Sequence, residues 1–594
     1  MAEYTSSGAV EVAADENLTA AMWDALERYP DAPAVAHREG DRFVDWSTRE
    51  LLDRVRSVAK GLMAAGIEAG DRVCIHAGTR VEWTVLDLAI WFAGGVPVPI
   101  YETSSAEQIA WIVSDSGAVL LVTENAELAA MVAQVRAQLT GLREVLVIDD
   151  GALDALAERG AQITDEALRS ASDAAVGADP ATIVYTSGTT GRPKGCVITH
   201  YNFIWDAEQV AAGAPEFVVR GKRTLLFLPL AHIFARVIQT TCLRKGVVLA
   251  YSTGIPQLRE ELVIDQPDFL LAVPRVFEKV FNGARQKATD EGKGKIFDKA
   301  ASIAEAYSRQ TDEGRVRLGT RLLHALFDKL VYGKLRAAMG GRIEYAMSGG
   351  AALGDRLSHF FRGIGVQILE GYGLTETTAV ACFNRPSAFR MQTVGRPLPG
   401  GSVKIAEDGE ILLKGGHIFP GYYNNPEATA EVLTDDGWFH TGDIGEVDAD
   451  GFVKITGRKK ELLVTAGGKN VAPAVLEDRM RSHALVSQSM VIGDGQPFIA
   501  ALITIDPEAF PTWAESNNKT GKGIADLVDD PALRAEVQKA VDEANQAVSK
   551  AESIRTFKIL PEDFEVGVEL SQKMSVKRHV VGEKYAHVID EIYG

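Results

Sequence analysis

Segments that alternate between buried-strand and helix patterns fill the first half of the chain, and nothing else in the sequence restricts its fold as much. DRVCIHA (71–77) is apolar enough for a strand covered on both faces, EWTVLDLAIWFAGG (82–95) reads as a helix ending in glycines, and VPVPIY (96–101) as the next strand. AVLLVT (118–123) and EVLVID (144–149) follow at helical intervals, and the texture returns at TLLFLP (224–229), VVLAY (247–251) and FLLAV (269–273). This rhythm predicts an α/β fold: parallel-type sheets covered by helices. EYAMSGGAAL (344–353) and VQILEGYGLTET (366–377) each carry a strand into a glycine-rich turn. Residues 281–340 are charged and poor in β-branched runs, and read as a surface helical insertion. From about residue 395 the strands shorten (SVKIA, EILLKG, GFVKITG), which predicts a small β-rich subdomain.

A chain of 594 residues exceeds what one core organises, so at least two domains are expected. The division falls at GRKKE (457–461): a large domain over 1–457, a joint at 458–460, and a small, mobile α+β domain over 461–594. Its clearest helix begins at Asp530-Pro531, a capping residue followed by proline, and continues with Leu533, Val537, Val541, Ala544 and Val548 on one face. The net charge of −19 argues against a nucleic-acid partner but not against small anions, which local glycine loops can hold. Cys74, Cys196, Cys242 and Cys382 form no CxxC pair and read as reduced thiols; the eleven histidines form no HExxH. No apolar run reaches the ~18 residues of a spanning helix. The expected setting is the cytoplasm, with peripheral membrane contact left open.

ATIVYTSGTTGRPKG (181–195) is the strongest single signal. An apolar strand enters a loop holding Thr186, Ser187, Gly188, Thr189, Thr190, Gly191 and Lys194. Glycines let backbone N–H groups approach an anion, hydroxyls add donors, and Lys194 adds charge, so phosphate is the natural occupant. A bland surface turn would share the glycines but not this concentration of hydroxyls and lysine after a buried strand. The spacing is not that of the NTPase P-loop, which needs four residues between its glycines and Ser/Thr after the lysine.

YTSGTTGRPKG resembles the signature loop of the adenylate-forming superfamily, which includes acyl-CoA synthetases, luciferases and peptide-synthetase adenylation domains. EGYGLTET (370–377), GWFHTGD (437–443) and GRKKELLVTAGGKNVAP (457–473) follow in the same order. With LPLAHIFAR (228–236), the last is similar to the long-chain fatty acyl-CoA synthetases in particular. The resemblance implies ATP, Mg2+ and coenzyme A alongside a long-chain fatty acid. It implies Glu376 as metal ligand, Thr186 in the phosphate loop, Thr375 at the α-phosphate, and Tyr372 against adenine within Glu370, Gly371, Tyr372 and Gly373. Ser348, Gly349 and Gly350 would line the other side of the base. Asp443 would accept from the ribose hydroxyls, assisted by Arg458, and Lys460 would be the hinge. His232 would face the acyl pocket, and Gly467 and Gly468, with Ala466 and Lys469, the pantetheine channel.

One departure stands out. The family's catalytic lysine lies in a stretch like L-T-P-x-L-K-x-x-R, and laying this on LSQKMSVKR (570–578) puts Ser575 at the lysine position. In an extended segment Lys573 and Lys577 would share the face of Ser575. Lys573 is the expected substitute. The alternatives are a ligase for another carboxylate, or an adenylation-impaired protein that binds acyl-adenylate or nucleotide.

Overall fold

The apolar runs become parallel strands because helices between them cross back over the sheet. The computed structural model describes residues 3–186, 192–466, 469–550, 552–571 and 575–594. One sheet carries Val96–Ile100, Arg72–His76, Leu120–Thr123 and Glu144–Val147 in that spatial order, all parallel. In a larger sheet Gln367–Tyr372, Tyr345–Ser348, Phe269–Ala272, Arg223–Leu226, Val248–Tyr251 and Pro33–Glu39 run parallel, with antiparallel strands at both edges. The helix Val81–Phe92 is buried on every face except at Glu82, as its nearly continuous apolar sequence requires.

Strand order reverses around Arg223–Leu226, which has Val248–Tyr251 on one side and Phe269–Ala272 on the other. Such a switch opens a crevice beyond the carboxyl ends of the strands. Three of the glycine- or histidine-bearing segments singled out above leave their strands at that edge: 227–232, 348–350 and 373–377.

The stretch 281–340 is helical, but it is more than a surface insertion. Its helices belong to a series starting at Pro274, and their inner faces build the main core: Phe281 meets Phe360 edge-on at 4.7 Å, and Phe297 and Tyr332 are buried. A pattern of charge around isolated aromatics had masked that contribution. The β-rich subdomain is a five-stranded antiparallel sheet whose outer strand, Glu3–Thr5, comes from the other end of the domain and pairs with Ser402–Ile405.

In the C-terminal region Val486–Ile492, Ile499–Ile505 and Ile554–Ile559 form a sheet with apolar clusters on both faces, Val491 and Ile503 on one and Met490 and Leu502 on the other. The helix Pro531–Asn545 starts where its cap predicts: Asp530 accepts from the backbone N–H groups of Ala532 and Leu533. Val548 lies beyond its end and packs against the same core from the following turn. No helix among the described residues is long and apolar enough to cross a membrane.

Three buried histidines each contribute to the fold's acid response. Burial pushes His76 and His200 down to about 4, and His417, stacked on Trp205, down to about 3. Unfolded histidines take up protons below about pH 6.5, whereas these do so only near their depressed values. The unfolded state therefore binds more protons in that window, and stability falls as pH falls through it. Each group contributes up to about 1.4 kcal/mol per pH unit there. Asp265 and Asp478, pushed up to about 6 by burial, act in the opposite sense in the same window, so the expected outcome is a difference: between pH about 7 and about 5 the denaturant midpoint of the native protein falls relative to that of His417→Gln.

Candidate active site

The glycine loop joins two antiparallel strands, Pro180–Thr186 and Lys194–Thr199, with Thr186 opposite Lys194. It is therefore a hairpin connection and not the strand-to-helix turn of NTPases. Ser187, Gly188, Thr189, Thr190 and Gly191 lie outside the described residues, as do Gly467, Gly468 and Lys573. The loop's exit is pinned: the Trp111 indole donates to the Pro193 carbonyl at 2.8 Å, and the Arg192 guanidinium sits 4.8 Å from the Trp111 ring.

Tyr422 connects this stem to the TET turn, a role its sequence context had not suggested. It lies on Gly421–Tyr422, which pairs with the Lys194 strand. The Lys194 ammonium lies 5.1 Å from its ring centroid, and its hydroxyl donates to Glu376 Oε1 at 2.8 Å. Burial and the Glu376 charge both push the Tyr422 hydroxyl pKa up, so it remains a donor. The other Glu376 oxygen accepts from no described residue, which leaves it for a cation.

The turn itself is tightly made. A Cβ on Gly373 would lie 1.8 Å from the Ala379 carbonyl oxygen, so only glycine fits. Thr378 and Ala379 adopt left-handed φ values of 50° and 77°, and the Thr378 hydroxyl donates to the His417 carbonyl at 2.8 Å. Thr375 is buried inside this turn. Gly371 pairs with Phe383, which leaves little room for a side chain there. Glu370 faces the preceding loop: its carboxylate accepts from Leu353 N at 3.1 Å and Ser358 Oγ at 3.3 Å. Ser348 is buried, with no described partner for its hydroxyl, directly before Gly349 and Gly350.

A second cluster reaches the same side. Tyr372 donates to Asp443 Oδ2 at 2.6 Å, and Arg458 Nε lies 3.1 Å from Asp443 Oδ1 across the pair of strands Phe439–Val447 and Val453–Arg458. Burial raises the Asp443 pKa; the Arg458 charge and the Tyr372 hydroxyl pull it back, while Glu376 and Glu410 push it up again. Arg458 also feels Glu376, so Glu376, Arg458, Asp443 and Tyr372 share one field. Each Asp443 oxygen keeps a second lone pair for an incoming hydroxyl.

His232 caps the helix Ile233–Lys245, its Nδ1 accepting from Phe234 N at 3.3 Å. The Phe234 ring would lie 3.7 Å from a Cβ built on Gly349, so this helix start and the 348–350 segment are neighbours. Lys460 is exposed between two anchored residues. Lys459 is held by Asp408 at 2.5 Å and Glu410 at 3.0 Å, both of the large domain. Glu461 lies 3.7 Å from Arg578, which also binds Glu477 and the Val491 carbonyl. Across the two regions, Arg275 pairs with Asp506 at 3.2 Å and Arg356 donates to the Ser482 carbonyl at 3.1 Å.

The segment around Ser575 is not extended. Ser571 N donates to the Ser575 carbonyl at 2.8 Å, Ser575 N to Ser571 Oγ at 3.2 Å, and Leu570 pairs antiparallel with Val576. Residues 569–571 and 575–577 therefore run antiparallel, and the segment is not one continuous extended run. Lys577 is committed elsewhere, its ammonium donating to the Gly567 carbonyl at 2.7 Å.

Residues 22–423 match the family described as AMP-binding enzyme, and residues 460–594 its C-terminal domain. The chain is 48% identical to the long-chain-fatty-acid–CoA ligase FadD15 of Mycobacterium tuberculosis (strain ATCC 25618 / H37Rv), covering 100% of both chains. It is 31% identical to the long-chain-fatty-acid–CoA ligase ACSBG2 of Xenopus laevis, over 96% of this chain and 82% of that one. Its fold is similar to the adenylation domain of a Mycobacterium chelonae carboxylate reductase (TM-score 0.75, 23% identity, 97% and 91% of the chains). It is also similar to a Mycobacterium tuberculosis fatty acyl CoA synthetase (TM-score 0.62, 22% identity, 96% and 99% of the chains).

Tyr422→Phe removes the donor to Glu376 while keeping the ring under Lys194. A hydrogen bond to a charged group contributes about 1.5–3 kcal/mol, so the variant is expected to bind Mg–ATP about tenfold or more weakly. Isothermal titration checks the affinity, and an unchanged melting temperature checks that the fold is intact.

Proposed function

The chain belongs to the AMP-binding enzyme family, and from that membership we propose that it joins a long-chain fatty acid to coenzyme A through an acyl-adenylate. In the first step a carboxylate oxygen attacks the α-phosphorus of ATP and pyrophosphate leaves. In the second the coenzyme A thiol, giving up its proton, attacks the acyl carbonyl and AMP leaves. The observation that carries this reading is the convergence of Lys194, Tyr422, Glu376, Arg458, Asp443 and Tyr372. The full-length identity to relatives named for long-chain fatty acids supports the substrate class.

Attack of one anion on another is opposed by charge, so positioning and neutralisation must supply the rate. Lys194 and the loop hydroxyls serve the β- and γ-phosphates, and Arg458 the sugar or phosphates. Tyr372 packs on the base opposite Ser348–Gly350, whose buried orphan hydroxyl suits a polar ligand edge. Asp443 accepts from the ribose diol. Glu376, whose second carboxylate oxygen has no described donor, would be the protein ligand of a Mg2+ otherwise held by nucleotide oxygens. Such an ion, when bound, would supply charge neutralisation at the departing phosphates. The acid enters beside His232 and Phe234. We assign the reaction to the cytoplasm; four buried cysteines outside any disulfide support a reducing compartment.

Lys573 is our candidate for the cation between carboxylate and α-phosphate. Ser575 cannot carry charge and Lys577 is held by Gly567, which favours Lys573 of the three. Pyrophosphate release from ATP, magnesium and palmitate is the test. The native protein releases it and forms palmitoyl-CoA when coenzyme A is added. Lys573→Ala slows release by about two orders of magnitude or more, the scale of a lost transition-state charge. An unchanged rate removes that assignment, and if the native protein is inactive while Ser575→Lys is active, the adenylation-impaired alternative replaces the ligase.

Lys460 sits between a residue tied to one domain and a residue tied to the other, the position a hinge needs. Lys460→Pro, which restricts that backbone, is expected to leave the pyrophosphate half-reaction within about threefold and to lower thioester formation by tenfold or more. Single-turnover measurement of each half, starting from ATP and from acyl-adenylate, separates the two.

A further inference from the structure

The helix Leu318–Phe327 and the π turn Asp328–Tyr332 that continues it present a stripe of leucines to solvent. Leu318, Leu322, Leu326 and Leu330 are 71%, 64%, 51% and 51% exposed, and Leu323 beside them 39%. This is not a loosened helix. Its inner face is clamped: Phe327 and Tyr332 are buried, the Tyr332 hydroxyl donates to the Ala300 carbonyl at 2.7 Å, and His324 stacks on Tyr307 at 3.9 Å. The π turn also keeps the stripe straight. Each four-residue step on an α-helix drifts by about 40°, whereas the wider turn rotates less per residue and returns Leu330 toward the line of the other three.

The charges around the stripe are one-sided. Residues 314–335 contain Arg315, Arg317, Arg321, Lys329 and Lys334 against the single acid Asp328, in a chain where acids outnumber bases by 81 to 62. All five cations are exposed and none forms an ion pair with a described residue, whereas Asp328 is paired with Arg336 at 2.8 Å. A protein interface would be expected to carry aromatic anchors and few lysines; this face has no exposed aromatic residue and a basic collar. A rigid leucine ridge flanked by unpaired arginines and lysines fits an anionic bilayer, with leucines in the acyl boundary and cations at the phosphates.

We propose that this face, centred on Leu318, Leu322, Leu326 and Leu330, docks the protein on membranes bearing anionic phospholipids. The substrate of the proposed ligase is itself held in such bilayers, so docking would bring the chain to its acid; only that consequence rests on the ligase reading.

The test is sedimentation of the full chain with vesicles of phosphatidylcholine alone and of an equimolar phosphatidylcholine–phosphatidylglycerol mixture. The native protein is expected to bind the anionic vesicles, less so as salt is added. Leu318→Ser/Leu322→Ser/Leu326→Ser is expected to bind at least about tenfold more weakly, and Arg317→Glu/Arg321→Glu to lose the preference for anionic lipid. Both variants should keep the native circular dichroism and the native rate on acid supplied in solution. Failure of the native protein to bind, or binding that survives the leucine changes, overturns the proposal. So does light scattering that reports a native dimer dissolved by the leucine changes without vesicle binding, which would make the stripe a contact between copies. Vesicle binding without acyl-CoA synthesis would keep this face and remove the ligase instead.

Discussion

The guanidinium of Arg236 is wholly buried, and the relation between the two halves of the crevice depends on it. It donates to Asp87 and to the Thr182 hydroxyl, each at 2.5 Å, while Gln239 donates to the other Asp87 oxygen at 2.9 Å. The rings of Trp83, Trp91 and Phe203 surround it at 5.4–5.6 Å. Burial pushes the Asp87 carboxyl toward its neutral form and the facing guanidinium opposes this. Removing one partner of such a pair would leave an uncompensated buried charge, a loss of about 3–5 kcal/mol. Its importance is geometric as much as energetic. Arg236 lies one helical turn after His232, and Thr182 four residues before Thr186 on the strand that feeds the glycine loop. Arg236 thus holds its own helix Ile233–Lys245, the stem of the glycine loop and the almost wholly buried helix Val81–Phe92 in fixed relation.

From that fixed frame the charged side chains of the site are passed along in a chain of contacts. Lys194 faces the Tyr422 ring, Tyr422 donates to Glu376, and Glu376 shares the field of Arg458 and Asp443. Glu410 then takes Lys459, Gly442 N and His440, and its pKa is lowered in spite of burial because three donors favour its charged form. Lys460 follows directly, with Glu461 already turned to Arg578 of the small domain. The joint therefore sits where two ionic networks end, each rigid on its own side. A rotation there would exchange the exposed pair Lys279–Glu508 at little cost, but would also have to break the largely buried Arg275–Asp506 pair and the Arg356–Ser482 bond that cross between the two regions.

What could be read from the sequence was local. The runs VCIH, VPVPI and FLLA are apolar because both faces are covered, and they are strands at those positions; Asp530-Pro531 starts a helix because cap chemistry acts over three residues. What escaped was set by long-range pairing. Nothing near GYY indicates that Tyr422 lies beside Cys196 and under Glu376, because that contact depends on a strand pairing across more than two hundred residues. The pairing of Glu3–Thr5 with Ser402–Ile405 is similarly invisible. Around Ser575 the extended expectation failed because two serines bond across a reversal, and hydroxyl-to-backbone bonds of that kind compete with strand geometry without altering hydropathy. The 281–340 segment misled for a further reason: charge on its outer face outweighs a few inward aromatics in any average, though Phe281 and Phe297 decide where it packs.

A chain of net charge −19 that handles ATP, a carboxylate and coenzyme A must overcome its own field locally. At physiological ionic strength charges beyond about 8 Å are largely screened in solvent, so the distant surface acids matter less than the few cations within contact range. Lys194 is half-buried and Arg458 is exposed, but Arg458 faces the buried Asp443 carboxylate and Lys194 the Tyr422 ring, so each acts at contact range where solvent screens little. Arg315, Arg317, Arg321, Lys329 and Lys334 lie on an exposed face, where single charges are weak and only their number, beside an apolar ridge, gives purchase on an anionic surface. The two groups differ as their surroundings require: few and each held by a partner side chain in the one, many, exposed and without ion-pair partners among the described residues in the other.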